Sequence, residues 1–308
     1  MKNQYNSIKI KIPATTANFG AGYDVLGAAL KLYNEIEVIK VKSQKLKVKI
    51  EVKGEGENQL PRNERNIVCQ AIKIIFNKLQ ITDYKLQIKM INRIPLARGL
   101  GSSAAARVGG LVAANKICGD KLSDNEIIKI ATELEGHPDN VVPAFYGGLC
   151  VCNYAGKNVT YTKFKMPTDL MAVLCIPDFE VSTDKAREIL PKMISHRDAV
   201  FNSSRVALFI SAIIQKKYEF LSIAMEDKLH QPYRKKLIPG MDDVFNSAKK
   251  FGAYGVCISG SGPTILAISG KWLASKIGKA MQKTFLKYNV ESKYIVSDFD
   301  NEGIRILN

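Results

Sequence analysis

Ile94-Pro-Leu-Ala-Arg-Gly-Leu-Gly-Ser-Ser-Ala-Ala-Ala-Arg107 stands between a strand pattern and a helix pattern. Upstream, Leu86-Gln-Ile-Lys-Met-Ile91 alternates apolar and polar residues, the period of a half-buried strand. Downstream, Ala104 to Ala114 is small and apolar, holds good helix formers and lacks Pro. Strand, Gly-rich turn and helix therefore follow one another. The glycines allow close backbone approach and positive φ. Ser102 and Ser103 fall where an N-cap is expected. The leading amides of such a helix lack internal partners at the positive end of its dipole, which suits a phosphate. Taken alone, the stretch reads equally well as a tight turn before a capped helix. It is not a Walker A loop, because no Lys follows the glycines.

The wider composition narrows the choice. With 308 residues, 46% hydrophobic and 24% charged, the chain has the make-up of a soluble globular protein long enough for two domains. No apolar run reaches the roughly 18 residues of a membrane span. Met1 to Lys11 is polar and basic with no apolar segment behind it, so no signal peptide is expected. The six cysteines, at 69, 118, 150, 152, 175 and 257, form no zinc-ligand spacing and read as reduced thiols of a cytoplasmic protein. The net charge of +16 raises the question of nucleic acid. Its densest source, Lys40 to Lys53, alternates Lys with Val, Leu and Ile and has no interleaved aromatics. It reads as a strand with one solvated face, which incidentally favours anionic substrates such as ATP.

The Pro95–Ala105 segment matches Pro-x-x-x-Gly-Leu-Gly-Ser-Ser-Ala-Ala, the phosphate loop of the GHMP kinases, and resembles that family there. Pro13-Ala-Thr-Thr-Ala-Asn-Phe-Gly-Ala-Gly-Tyr-Asp24 follows a first strand over Ser7 to Pro13. It is similar to the N-terminal signature of the homoserine-phosphorylating members, with Ala21 for Pro and Tyr23 for Phe. The Lys that mevalonate kinases carry here is missing, since none lies between Lys11 and Lys31. Glu35 to Lys42 and Leu46 to Val52 read as paired strands. Asn66 opens a helix reaching about Leu79; it is either an N-cap or, by the resemblance, a neighbour of adenine.

Ser123 to Glu135 is a helix by its apolar spacing, with a Ser123/Glu126 capping box and Gly136 and Pro138 as stop signals. Glu133 and Glu135 fall in its last turn, the unfavourable end for carboxylates. One of them should have a compensating partner, for which a Mg²⁺ bound to ATP would serve. His137-Pro-Asp-Asn-Val-Val-Pro-Ala144 resembles the corresponding segment of the family's homoserine-phosphorylating members. Cys150 to Phe164 reads as strands closing a first domain, and Leu170 to Pro177 as a buried strand opening a second. Ser182-Thr-Asp-Lys-Ala-Arg187 and His230-Gln-Pro-Tyr-Arg234 match two further family segments. Thr183 and Arg187, four apart, share a helix face. Ala199 to Lys216 and Trp272 to Asn289 read as helices and Glu291 to Val296 as a last strand. Gly252 to Thr264 runs a strand into a Gly-rich turn similar to the family's third motif.

The resemblance implies an α+β, two-domain GHMP kinase fold. Residues 1–165 would form a ribosomal protein S5 domain 2-like ATP-binding domain, and residues 166–308 a ferredoxin-like domain. It implies ATP-dependent phosphorylation of L-homoserine in threonine biosynthesis. Pro95, Leu96, Ala97, Arg98, Gly99, Leu100, Gly101, Ser102, Ser103, Ala104 and Ala105, with Asn66, would bind ATP. Ser103 and Glu133 would bind Mg²⁺. Asn18, Asp24, His137, Asn140, Thr183, Arg187 and Arg234 would surround homoserine, and His137, Asp139 and Asn140 would stand at the reacting hydroxyl. A homodimer is compatible with this reading; nucleic-acid and membrane partners are not expected. The alternatives are a mevalonate-type member of the family and, further off, a basic nucleic-acid-binding protein with an S5-like fold.

Overall fold

The computed structural model describes residues 6–41, 47–156 and 158–307. The chain opens with strands β1 (Ser7–Asn18), β2 (Gly22–Lys40) and β3 (Val48–Gly54), helix α1 (Ile67–Lys78) and strand β4 (Leu86–Asn92). Helices α2 (Ser102–Ile117), α3 (Asp124–Glu135) and α4 (Val141–Tyr146) follow, then strands β5 (Leu149–Ala155), β6 (Asn158–Phe164) and β7 (Leu170–Pro177). Next come helices α5 (Thr183–Glu188), α6 (His196–Gln215), α7 (Leu221–Ala224), α8 (Gln231–Arg234) and α9 (Met241–Lys250). The chain ends with β8 (Gly255–Ile258), β9 (Ile265–Gly270), α10 (Ala274–Leu286), β10 (Ser292–Asp298) and β11 (Arg305–Leu307).

Alternation builds the first sheet. In β1, Ile8, Ile10 and Ile12 point into the core, while Lys9 reaches Glu35 on the outer face, 2.9 Å away. The excess lysines are solvated there as expected, with Lys49 beside Glu51 and Lys89 beside Glu37. The strand order is β11-β1-β2-β4-β3, and the other end of β2 pairs β5, which pairs β6. Among the described residues the expected pairing of the 35–42 and 46–52 strands does not occur. β4 lies between β2 and β3, antiparallel to the first and parallel to the second. A parallel neighbour requires a crossover, and α1 supplies it. Residues 42–46, at the ends of those two expected strands, lie outside the described residues, as do residues 1–5.

The second sheet runs β10-β7-β9-β8, all antiparallel. With α9 after β7 and α10 after β9, this is the βαββαβ arrangement of a ferredoxin-like domain. β7 is buried on both faces: Ala172, Leu174 and Ile176 join the first core, Met171, Val173 and Cys175 the second. Phe19 against Phe209 of α6, ring centroids 5.0 Å apart, adds to the join. A division at 165/166 misses the chain's end. β11 pairs β1 in the first sheet, and Asp300 anchors the return by accepting from Tyr33, Arg305 and the amides of Glu302 and Gly303. Three residues are too short to announce a strand by periodicity.

Candidate active site

A cleft of about 530 Å³ lies between the two sheets' loop ends. Its floor is the 94–107 stretch, where β4 runs through the turn into α2. Gly99 and Gly101 both take left-handed φ, 71° and 66°. A Cβ on Gly99 would stand 2.1 Å from the Ser259 carbonyl, and one on Gly101 1.9 Å from Thr15 Oγ1. The turn is thus pressed between β1 and the 259–264 loop, and only glycine fits. Ser259 Oγ donates to the Gly99 carbonyl at 2.6 Å and shares a 2.8 Å hydrogen bond with Thr16 Oγ1. The expected serine cap is absent: Gly101 is the N-cap, and Ser102 and Ser103 are the first helical residues. No side chain caps α2, so its leading amides are left facing the cleft.

Pro95 to Ser103 all line the cleft, whereas Ala104 and Ala105 are buried beneath it in the core of α2. Arg98 reaches the end of β7 and the segment after it. It donates to the Pro177 and Leu96 carbonyls and lies 3.3 Å from Glu180, bracing the loop against the second domain.

Of the two acidic residues closing α3, Glu133 is exposed and does not line the cleft. Glu135 does, accepting the Ser103 hydroxyl at 2.6 Å and pairing with Arg107. Arg107 is therefore the compensating partner at this helix end. Helical phase explains the exchange: Glu135 stands seven and four residues past the buried Ile128 and Ala131, Glu133 on the opposite face. Ser103 Oγ and Glu135 Oε1 form a hard-oxygen pair beside the open amides of α2.

One end of the cleft is apolar, lined by Leu60, Pro61, Ile67, Met90 and Leu96. Asn66 lines it and caps α1 as well, accepting from Val68 N and donating to Pro61 O. Asn92, unremarked in the sequence, is 3% exposed, and its Oδ1 has no hydrogen-bond partner among the described residues. A buried acceptor without a partner is costly unless a ligand supplies the donor.

The other end gathers the charged residues. Asp24, in left-handed backbone, receives both ends of the Arg187 fork at 2.9 and 2.7 Å. Arg187 also donates to Tyr23 Oη at 2.9 Å. Burial disfavours the Arg187 charge, but its contact with Asp24 outweighs this and holds its pKa above the ordinary value. Asn18 is spent on structure, accepting from the Asp24 amide and donating to Gly260 O. Asn140 Oδ1 accepts from Thr15 Oγ1 at 2.7 Å, which leaves its NH₂ for the cleft. His137 Nδ1 and Asp139 Oδ1 are 2.5 Å apart, both side chains nearly buried. Burial works against charge on His137, yet the Asp139 and Asp24 carboxylates more than offset it and raise its pKa. Ligand-type atoms of Asp24, His137 and Asp139 lie within 4.8 Å of one another. Arg234 is 2% exposed, and burial lowers its pKa; Thr183 completes the lining.

A helix N-terminus without a side-chain cap behind a Gly-rich loop, an apolar slot and a charged pocket share one cleft, as suits an ATP-dependent small-molecule kinase. Comparison with known proteins agrees. Residues 66–148 match the model for the GHMP kinases N terminal domain and residues 209–287 that for the GHMP kinases C terminal. A homoserine kinase of Carboxydothermus hydrogenoformans is 47% identical over 300 residues, 97% of each chain. One of Caldicellulosiruptor bescii is 48% identical over 98% of this chain and 97% of its own. The crystal structure of homoserine kinase from Cytophaga hutchinsonii superposes with a TM-score of 0.89 at 34% identity, covering 100% of this chain and 99% of that one. The chain belongs to the GHMP kinase family and, within it, to the homoserine kinases.

Proposed function

We propose that this kinase transfers the γ-phosphoryl group of ATP to the side-chain hydroxyl of L-homoserine, the phosphorylation step of threonine biosynthesis, in the cytoplasm. The observation that carries this reading is the charge arrangement opposite the phosphate loop. A zwitterionic amino acid removed from water needs a cation at its carboxylate and an anion at its ammonium. Arg187, Arg234 and Asp24 supply that set, and no Lys lines the cleft among the described residues, as a mevalonate-type site would have. Asp24 occupies the Arg187 fork. The substrate carboxylate would take Asp24's place there, freeing Asp24 for the ammonium group.

At the other end, the amides of Gly101 to Ser103 would hold the phosphates, with the adenine in the apolar slot beside Asn66. Asn92 Oδ1, buried and without a hydrogen-bond partner among the described residues, suits the exocyclic amino group of adenine. The Ser103–Glu135 oxygen pair suits Mg²⁺, which favours one or two carboxylate or hydroxyl oxygens together with substrate phosphates. Mg²⁺ would neutralise charge that develops between the β- and γ-phosphates. Asn140, its Oδ1 fixed by Thr15, presents NH₂ donors toward the reacting hydroxyl or its incoming phosphoryl oxygens. Asp139 Oδ1 is engaged by His137, and the proposed transfer assigns Asp139 no role as a base. A loose transition state asks little of a base, and positioning is what these residues provide.

The test is ATP consumption by the purified protein with L-homoserine, L-serine, mevalonate and no acceptor. Turnover that depends on homoserine is expected. Equal turnover without it, or preference for mevalonate, overturns the reading.

A further inference from the structure

His230 is fully buried, and its two ring nitrogens have partners of opposite kind. Nε2 lies 2.8 Å from the Gly20 carbonyl, which can only accept. Nδ1 lies 3.2 Å from Arg234 Nη1, which can only donate. Nε2 must therefore carry the proton and Nδ1 the lone pair, so the ring is neutral in one tautomer. The surroundings agree with this state. Burial holds the imidazole pKa below its ordinary value; Asp227, 3.6 Å from Nε2, works against that and the Arg234 cation for it. The ring is clamped from the side by Tyr23, with centroids 5.3 Å apart, and Asp227 in turn accepts from the His230 amide.

Arg234 is fixed by what His230 presents. Its Nε donates to Ala186 O at 3.0 Å, and Nη1 donates to Gly260 O at 3.0 Å as well as to His230. Nη2 has no such bond among the described residues and is the end left for a ligand. His230 thus contacts both the 18–24 turn, through Gly20, and the guanidinium that Tyr23 of the same turn lies beneath, 5.2 Å from ring to Cζ.

We infer that His230 is a positioning residue for substrate recognition: its Nδ1 lone pair aims the Arg234 guanidinium so that Nη2 meets the carboxylate of the amino-acid acceptor. This rests on the proposed homoserine reading, and homoserine-dependent turnover of the wild type tests that reading separately.

The two ring nitrogens can be replaced one at a time. His230→Asn keeps an acceptor near the Nδ1 position and loses the Gly20 contact. His230→Gln keeps a donor near the Nε2 position and loses the acceptor for Arg234. Each is assayed with L-homoserine and with 3-aminopropan-1-ol, which lacks the carboxylate. The preference for homoserine should fall by about tenfold or more in His230→Gln, the scale of a lost hydrogen bond to a charged group. It should stay within about threefold of wild type in His230→Asn, with KM for ATP little changed in both. A packing role for His230 predicts the reverse order, or equal loss on both substrates, and either result overturns the proposal. Should either variant fail to fold, nitrogen NMR of the wild-type histidine rings decides: a charged His230, or one with its proton on Nδ1, at neutral pH refutes it.

Discussion

Replacing Glu135 by Gln removes one charge from a carboxylate that touches both Ser103 and Arg107 while keeping its shape. Two consequences separate. Arg107 loses its ion partner; its side chain is 26% exposed but that of Glu135 only 8%, so water screens the loss in part and the cost in stability should be about 1–3 kcal/mol. The second falls on the nucleotide's cation. A bond between a charged group and its partner is worth about 1.5–3 kcal/mol, or about 10- to 150-fold in an affinity. The half-saturating concentration of free Mg²⁺ at fixed ATP and saturating homoserine should therefore rise at least about tenfold, and excess Mg²⁺ should restore part of the rate.

The control is Glu133→Gln, two residues away on the exposed face of α3. It should leave the Mg²⁺ dependence within about twofold of wild type, in line with the small effect of most surface substitutions. ADP release measured across a Mg²⁺ titration, with Tm for each variant, reads both consequences. If Glu133→Gln shifts the Mg²⁺ curve as far as Glu135→Gln does, helical phase is the wrong guide to this site. If Glu135→Gln lowers Tm but leaves the curve in place, Glu135 is only the partner of Arg107.

Asp139→Asn should keep a measurable share of the rate and lower the titration midpoint of His137 seen by NMR, since the carboxylate beside the imidazole is lost; a fall of about 10²–10⁴-fold in a folded, ATP-binding variant would instead mark Asp139 as a base. Arg187→Lys keeps the charge but loses the planar fork, so KM for homoserine should rise with KM for ATP nearly unchanged; an equal rise in both refutes the assignment of Arg187 to the acceptor. Asp300, fully buried, has its pKa held low: burial opposes this, but Tyr33, the Gly303 and Glu302 amides and Arg305 prevail. A depressed carboxylate stabilises above its unfolded pKa of about 3.9 and loses that contribution as pH falls through the folded value. Asp300→Asn should cost about 1.5–3 kcal/mol in denaturant melts at pH 7, and the gap from wild type should narrow below about pH 4; a gap independent of pH refutes it.

What could be read from the sequence, and what could not, follows from how far apart the cooperating residues lie. The strand, Gly-rich turn and helix around residues 94–107 were legible because strand period, glycines and helix composition are neighbours along the chain, and Asn66 and Ser123 announce helices within a few residues. Glu135 was within reach of the same logic: the spacing of Ile128 and Ala131 already puts it on the inner face of α3 and leaves Glu133 outside. The Asp24–Arg187 pair, 163 positions apart, was legible only as two separate motifs; that each satisfies the other is a tertiary fact. The Ser259 bond to Gly99 and the His230 bond to Gly20 span 160 and 210 positions, and neither residue has a local pattern that names its partner. β11 is invisible for the same reason, because three residues gain strand character only from β1 beside them. Local patterns together with the family resemblance thus named the groups expected to touch ligands, while the groups that aim them are chosen by approach in space. That is why His230, passed over in its own motif, carries information about specificity that Arg234 alone does not: Arg234 supplies the charge, and the ring behind it sets the direction in which that charge points.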